Sequence, residues 1–399
     1  MADTPAAATP PLLRRVNAGK CLGALANAGV MTGTGLIQAT GLTRATVHAV
    51  CNDLIAMGWV VELDPGRYET AVGRPSRRFE FNSRAGYVLG IDIGAAKTTV
   101  LIADLRGETV AKAGRSVSEV KTPGERTEIV HATVVEALDT AGLSDAQMLA
   151  AGVGVAAPVD RAGNILVDDE FWRRFDADLA KRLTDLHGWP VLLENDANLA
   201  ALGEHWRGEG RDVDDLAVLL AGERFGSGLM DSGRLLHGSR GGAGEMLYLK
   251  LVEGVGDTHG IARIARDHGA AALADPAVDT ALRTLAGDGP VTAEQVFAAA
   301  GAGDEVASGI LRHVAARTAR VVATLGILCN PELVVLGGAV AEAAEALLPD
   351  IEHHLAGFTS TPPRVAVSSL GDAIVAVGAL RHALNYVELH ALDLDLSSG

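Results

Sequence analysis

The sequence is poor in cysteine and has no run of apolar residues long enough to cross a membrane. Its three cysteines, Cys21, Cys51 and Cys329, are irregularly spaced, so we expect reduced thiols inside protein cores and no disulfide framework. Nothing resembles the roughly 20 consecutive apolar residues of a transmembrane helix. The opening MADTPAAATPPLLRR lacks the basic-then-apolar order of a secretory leader. These absences predict a cytoplasmic protein that does not bind membranes.

Charge is unevenly distributed along the chain. Residues 1–85 contain nine Lys or Arg and six Asp or Glu, a net charge of +3; because the whole chain of 399 residues carries −16, the remainder carries −19. A basic head on an acidic body indicates that only the head meets a polyanion such as DNA. A chain of this length is also too long to fold around a single hydrophobic core, so we expect two or three domains.

The head has the pattern of a helix-turn-helix followed by a wing. Two helical segments, 13–29 and 33–41, each end on glycine, and Thr43 is a good N-cap for a third amphipathic helix. That helix would enter the major groove, and the Asp-Pro-Gly turn at 64–66 predicts a β-hairpin wing. The predicted DNA-contacting residues are Arg44, Thr46, His48, Asn52, Arg74 and Arg77. A small helical protein-interaction domain with a solvated basic face is the alternative.

From Tyr87 onward, one strand pattern occurs twice. The stretch 87–113 indicates a strand, a glycine loop, a strand, a turn and a strand, and the stretch 216–238 repeats that order. Duplication of this unit predicts an α/β body of two lobes with the actin-like ATPase (duplicated ribonuclease H-like) fold. We therefore expect a winged helix-turn-helix domain, a first lobe and a second lobe whose C-terminal helix packs back on the first. The expected boundaries are 1–84, 85–205 and 206–399.

Two further motifs narrow the fold to one family. VLLENDANLAALGEHW (191–206) predicts a buried strand running into a helix, and GSRGGAGEM (238–246) is a glycine-rich loop. Together with the head they resemble the ROK family of bacterial repressors, open reading frames and sugar kinases, over nearly the whole chain. The resemblance implies a general-base role for Asp196 in a kinase, and sugar contacts for the four positions Asn195, Asp196, Glu245 and Tyr248. The alternative is that Asn195 or Asp196 only caps the following helix.

The zinc motif of the family is missing. Zinc-bearing members use a histidine, here replaced by Tyr248, and three cysteines, whereas the corresponding stretch 250–265 has no cysteine. His259 alone cannot build a tetrahedral site, so we expect no zinc or other metal. Arg263 takes the place of a family glutamate that binds sugar, which favours an anionic ligand such as a sugar phosphate or a sugar acid.

Both phosphate-binding loops that the resemblance implies are altered. The second loop carries Glu223 and Arg224 where the family has threonine and glycine. A carboxylate about 4 Å from a phosphate costs roughly 1 kcal/mol in water and several in a partly closed cleft. We therefore expect no ATP cofactor and no kinase activity, although Arg224 reaching a phosphate would offset part of the cost. The residues retained in the two loops are Asp92, Gly94, Lys97, Gly226 and Gly228.

These features predict a sequence-specific DNA-binding regulator, a repressor, whose body binds a sugar or sugar-phosphate effector. Closure of the two lobes would rotate paired heads against the half-sites of a pseudo-palindromic double-stranded DNA operator, so we expect a homodimer or tetramer. One rival is an ATP-dependent sugar kinase with an appended DNA-binding head. The other is a regulator whose body serves only for dimerisation.

Overall fold

Three β-sheets organise the structure, a computed structural model that describes residues 10–64, 76–118, 120, 122–165, 178–394 and 396. Arg74 and most of the expected wing turn at 64–66 lie outside the described residues. Within the described part of the chain, no helix is long and apolar enough to cross a membrane.

The N-terminal residues form three helices and a small antiparallel sheet. In chain order the elements are α1 (Pro10–Ala28), β1 (Val30–Thr32), α2 (Gly33–Thr40), α3 (Arg44–Ala56), β2 (Val60–Leu63) and β3 (Arg78–Phe81). The strand order is β1-β3-β2. Sequence patterning missed β1, which is only three residues long, and placed the partner of β2 directly after the turn at 64–66; the described partner of β2 is β3, with Val60 opposite Phe81.

Two capping residues set the turn between α2 and α3. Gly41 ends α2 with a φ of 69°, a left-handed conformation that glycine adopts without steric cost. The Thr43 hydroxyl accepts a hydrogen bond from the Thr46 N–H and so satisfies one of the free donors at the start of α3. The predicted helix is confirmed, and its inward-facing apolar residues are buried: Val47, Val50, Cys51 and Leu54.

The second sheet begins at Tyr87. The elements that build this part of the chain are β4 (Tyr87–Ile93), β5 (Lys97–Asp104), β6 (Thr109–Ser116), α4 (Pro123–Ala141), β7 (Met148–Val155), α5 (Leu179–His187), β8 (Val191–Asn195) and α6 (Asp196–Arg207). Their strand order is β6-β5-β4-β7-β8. The first three strands form an antiparallel meander, and β7 and β8 extend it in parallel to β4.

The third sheet repeats that topology strand for strand. Its elements are β9 (Leu216–Leu220), β10 (Gly226–Asp231), β11 (Arg234–Leu235), α7 (Ile261–Ala274), α8 (Leu282–Ala286), α9 (Ala293–Gly301), α10 (Glu305–Cys329), β12 (Leu333–Gly337), α11 (Ala341–Ala344), α12 (Leu348–Phe358) and β13 (Arg364–Val367). The order β11-β10-β9-β12-β13 has the same parallel and antiparallel pairings. The predicted duplicated α/β body is therefore confirmed.

The last helix, α13 (Ile374–His390), packs against β4, β7 and α6. Glycines allow the close approach: a Cβ on Gly152 would lie 2.1 Å from the Ala379 carbonyl oxygen, and one on Gly378 would lie 1.7 Å from that of Leu199. Any side chain at either position would push α13 off its neighbours. The helix thereby joins the second sheet to α6, the helix that leads into the third sheet.

The residues after α13 contact the N-terminal domain. The Trp59 indole N–H donates to the Leu394 carbonyl at 3.2 Å, and the Leu396 N–H donates to the Met57 carbonyl at 2.9 Å. One apolar cluster contains side chains from α3, β3 and α13. Cys21 and Cys51 lie in this region and are buried as expected, whereas Cys329 is exposed at the end of α10 and corrects the expectation of three core thiols.

Candidate functional site

A cleft of about 340 Å³ lies between the two five-stranded sheets, and residues from both lobes line it. The ends of β4 and β8 and the start of α13 contribute from one side, and the loops around 222–226 and 245–247 from the other. This convergence follows from the duplicated topology, because the glycine loops of the two meanders face one another. The residues expected from sequence that line the cleft are Asp92, Gly94, Lys97, Asn195, Asp196, Gly226 and Glu245.

The first glycine loop holds a lysine in an ion pair. Lys97 Nζ lies 2.9 Å from the Asp372 carboxylate, and Lys112 Nζ lies 3.6 Å from its other oxygen. The hydrogen bond from Lys97 holds the pKa of Asp372 below its usual value. Nearby, burial and the Asp196 carboxylate raise the pKa of Asp92 to about 8. The sequence places Lys97 in a phosphate-binding loop. In the structure its charge is neutralised by Asp372, which lies just before α13.

Asn195 is the N-cap of α6. Its Oδ1 accepts hydrogen bonds from the Ala197 and Asn198 N–H groups at 3.0 and 3.2 Å, and its Nδ2 donates to the Ala157 carbonyl at 3.1 Å. The capping alternative therefore describes the hydrogen bonds of Asn195, although the residue also lines the cleft. Its oxygen already accepts two bonds, so the second Nδ2 hydrogen is what its amide can offer to a sugar hydroxyl.

Asp196 and Glu245 form an acidic pair across the cleft. Burial and the Glu245 charge raise the pKa of Asp196 to about 7. Burial also raises the pKa of Glu245, and the charge of Arg224 partly opposes that rise. An aspartate with a pKa near neutrality is suited to exchange a proton with a hydroxyl group.

Sequence reasoning missed an ion pair beneath this acidic pair. His237 Nε2 lies 2.8 Å from Glu194 Oε2, while Glu194 Oε1 accepts from the Asn195 N–H and from Asn198 Nδ2. Burial opposes ionisation of Glu194, but the bonds from His237 and Asn198 outweigh it and lower its pKa. This ion pair joins β8 of the first lobe to the glycine-rich loop of the second. No local motif signals it, because the partners are 43 residues apart.

The second glycine loop also carries a neutralised charge. Both Glu223 oxygens accept hydrogen bonds from the Arg266 guanidinium of α7, at 2.6 and 2.8 Å. The bond from Arg266 lowers the pKa of Glu223, so the carboxylate is ionised but paired. The repulsion argued from sequence assumed an unpaired carboxylate and is therefore too large. Gly228 has a packing role, since a Cβ there would lie 2.0 Å from the Ala197 carbonyl oxygen.

A buried arginine organises the segment that corresponds to the family's zinc motif. Arg317 of α10 is 4% exposed and donates to the carbonyl oxygens of Val255, Asp257 and His259. That segment in turn bonds the second glycine loop, because the Phe225 N–H donates to the Thr258 carbonyl. Among the described residues, no group of three or more His, Cys, Asp or Glu side chains is arranged to hold a metal.

Two sequence-derived ligand positions lie elsewhere. Tyr248 is 66% exposed in a short 3₁₀ turn and is not part of the cleft lining. Arg263 also lies outside the lining and pairs with Asp267 one turn along α7. The motif alignment placed both residues in the cleft, but the turn after Glu245 directs Tyr248 to the surface, and the helical spacing gives Arg263 a local partner.

The head residues expected to contact DNA fall into two groups. Arg44 and Asn52 are exposed on α3, whereas Thr46 and His48 are only partly exposed. Thr46 bonds the Thr43 cap, and Arg77 forms a two-point ion pair with Glu62 in β2.

The sequence and the fold have counterparts among known proteins. The ROK family model matches residues 88–385. A glucokinase of Halalkalibacterium halodurans is 30% identical over 322 residues, which are 73% of this chain and 93% of that enzyme. A xylose repressor of Caldicellulosiruptor bescii is 24% identical over 354 residues, covering 84% of this chain and 87% of the repressor.

Solved structures give the same result. A ROK family transcriptional regulator, a homologue of the E. coli MLC protein, superposes with a TM-score of 0.75 at 20% identity and covers 97% of this chain and 100% of its own. A ROK family glucokinase from Streptomyces griseus, in complex with glucose and AMPPNP, has a TM-score of 0.65 at 26% identity and covers 75% of this chain and 100% of its own. With the family model spanning both five-stranded sheets, the chain belongs to the ROK family, which contains both repressors and sugar kinases.

Proposed function

We propose that the protein is a sequence-specific DNA-binding transcriptional regulator, a repressor, whose body binds a sugar or sugar derivative. The observation that carries the proposal is the N-terminal domain itself. Helices α2 and α3 meet at a capped turn, and β2 and β3 pair antiparallel after α3, in one sheet with β1; this arrangement supports a winged helix-turn-helix. Phosphorylation of a sugar does not by itself require such a domain.

The connection between the two ends of α13 supports a sensing role. Asp372, Ile374 and Val375, at and just before its first turn, line the cleft. Beyond its last turn, Asp393 pairs with Arg15, and Leu394 accepts the Trp59 indole hydrogen bond. A ligand that favours one arrangement of the cleft would therefore bias the position of the head, with a typical coupling of about 1–3 kcal/mol. A homodimer or tetramer would convert that bias into a mismatch with two operator half-sites.

The ligand is expected to be polar and rich in hydroxyl groups. Asp196 and Glu245 place two carboxyl groups in the cleft, one from each side, and such groups accept hydrogen bonds from sugar hydroxyls. Glucose and xylose are the first candidates, because relatives of this chain include a glucokinase and a xylose repressor. The phosphate esters of glucose and xylose are the next candidate ligands.

The test is a selection of duplexes from a random DNA library by the full-length protein. We expect enrichment of one pseudo-palindromic sequence and release of that duplex by one of the candidate sugars. Arg44→Ala, which removes an exposed cation from the first turn of α3, should weaken binding by at least about fivefold. Arg312→Ala, an exposed arginine on α10 of the body, is the matched control and should leave binding unchanged. A selection without any enriched sequence would overturn the proposal.

An ATP-dependent sugar kinase with a DNA-binding head is the second candidate. The pairing of Glu223 with Arg266 favours it, because a paired carboxylate repels phosphate less than a free one, and Asp196 has a pKa suited to a general base. Calorimetric titration of ATP with Mg²⁺, with and without glucose, decides between the two. If millimolar ATP gives no heat, the protein is a regulator without kinase activity. Micromolar ATP binding, together with sugar phosphorylation that is lost in Asp196→Asn, would establish the kinase.

A further inference from the structure

Arg77 lies at the junction of the wing and the recognition helix, and its guanidinium is engaged on several sides. Its Nε and Nη2 donate to the two Glu62 oxygens, both at 2.6 Å, and Nη2 also donates to Asn52 Oδ1 at 2.9 Å. Nη1 lies 3.5 Å from His48 Nδ1, and the guanidinium lies 5.0 Å from the centre of the buried Phe79 ring. The side chain therefore links β2 and β3 to α3.

These contacts argue against a direct phosphate contact by Arg77. Four of its five N–H directions point at protein groups, and the Glu62 carboxylate cancels its charge. The two-point geometry also fixes the plane of the guanidinium, since a carboxylate matches its fork with parallel hydrogen bonds. An arginine held in this way orients its neighbours.

The neighbour that matters is Asn52. A guanidinium only donates, so the carbonyl oxygen of the Asn52 amide must face Arg77, and the NH₂ group points away from it. Asn52 lies on the exposed face of α3 together with Arg44, Ala45 and Ala49. The two alanines leave this face shallow, which permits close approach to base edges. The group that Asn52 offers to DNA is consequently a donor.

We infer that Arg77 is a positioning residue that gives Asn52 a preference for guanine over adenine. The inference rests on the proposed DNA-binding function. A free asparagine pairs with adenine by accepting from N6 and donating to N7. Because its oxygen is turned toward Arg77, Asn52 presents its NH₂ group on the opposite side, and this donor suits the two neighbouring acceptors of guanine, O6 and N7.

The test compares selections from a random duplex library by the full-length wild-type protein and by head variants. Asn52→Ala identifies the motif position that Asn52 reads. At that position Arg77→Lys, which keeps the charge but loses the fork, should lower the guanine-to-adenine ratio by roughly fivefold or more. Arg84→Ala, an exposed arginine of the head outside this network, is the control and should reproduce the wild-type motif.

A second variant keeps the network intact and does not depend on how well Arg77→Lys folds. Asn52→Asp still accepts from Arg77 but presents an oxygen instead of an NH₂ group, so the preferred base at the same position should change to cytosine, whose N4 donates. Unchanged preferences in both Arg77→Lys and Asn52→Asp would overturn the inference while leaving the DNA-binding function in place. If the wild-type protein enriches no sequence, the proposed function fails and this inference fails with it.

Discussion

The two glycine loops of the cleft occupy equivalent places in a duplicated fold, yet they carry side chains of opposite charge. Each charged side chain is neutralised by a partner from outside its loop. In the first loop the cation Lys97 is paired with Asp372, a carboxylate that precedes α13. In the second loop the anion Glu223 is paired with Arg266 of α7. Backbone topology was retained through the duplication, whereas each loop acquired its own counter-ion from a different helix. The loops are therefore balanced individually, and their charges cannot be understood from the loop sequences alone.

A buried arginine supports each loop from an equivalent helix, but the two differ in reach. Arg126 of α4 donates directly to the Gly94 carbonyl of the first loop at 2.8 Å. Arg317 of α10 contacts the second loop only at the Phe225 ring, 5.3 Å from its centre, and directs its hydrogen bonds to the segment 255–259, which then bonds the loop. The hydrogen bonds between Arg317 and the second loop thus pass through the segment 255–259. Around Asp257 this segment has no regular secondary structure. The second loop should therefore be the more easily disrupted of the two.

The largest effect is expected for Arg317→Ala. The substitution removes a buried side chain and leaves the buried Val255 carbonyl and the more exposed Asp257 and His259 carbonyls without their donor, which should lower the free energy of unfolding by about 2–4 kcal/mol. Urea denaturation followed by tryptophan fluorescence measures the change. The matched control is Arg320→Ala, one turn further along α10, whose guanidinium bonds the Ala316 carbonyl of its own helix and should cost about 1 kcal/mol or less. Equal losses in both variants would contradict the role of Arg317.

The next largest effect is a difference between the two loops in how their acidic residues change stability with pH. Burial raises the pKa of Asp92 to about 8, so the folded state holds a proton that the unfolded chain releases near pH 4. Stability from this group is present below pH 4 and is lost as pH rises toward 8. Asp92→Asn should therefore stabilise the protein at pH 8 by about 1–2 kcal/mol, less than the full shift implies because the side chain is partly exposed, and have little effect at pH 4.

The contribution of Glu223 to stability should change with pH in the opposite direction. Its pKa is lowered by Arg266, so its contribution is present at neutral pH and disappears as pH falls through the carboxylate range. Glu223→Gln should destabilise slightly at pH 8 and not at pH 3. Thermal melting of both variants at pH 3, 4 and 8 measures the contrast, and parallel pH profiles would contradict it.

Much of the backbone could be predicted from sequence, and much of the electrostatics could not. Strand alternation, the Thr43 cap and the glycine loops are local patterns, so the strands of the two meanders and α3 were predicted correctly. The Lys97 and Asp372 side chains are 275 residues apart in sequence, and Glu223 and Arg266 are 43 apart. No periodicity connects such partners. Tyr248 was misplaced for a related reason, since motif alignment gives its position in the chain but not the direction of its side chain.

Anion affinity offers a smaller but more specific test of the comparison. Glu223→Gln removes the two-point counter-ion of Arg266 and leaves it only the longer 3.9 Å pair with Asp267, so binding of pyrophosphate beside the second loop should strengthen by about 5- to 10-fold. Arg266→Gln leaves an unpaired carboxylate and should weaken it. Isothermal titration with pyrophosphate at low salt measures both variants. A change of the same sign in the two variants would show that the pair does not control the charge of the loop.

The smallest effect is expected in the first loop. Asp372→Asn frees Lys97 and Lys112, but all three side chains are about half exposed, at 49–52%, and water already screens their interaction. Pyrophosphate affinity should therefore rise by only about 2- to 5-fold, and the gain should shrink at 0.5 M salt, where the Debye length is about 4 Å. Asp185→Asn, which breaks the exposed pair with Lys181 on α5, is the control and should change nothing. A gain larger than that of Glu223→Gln would reverse the ranking of the loops and make the first loop the principal anion site of the cleft.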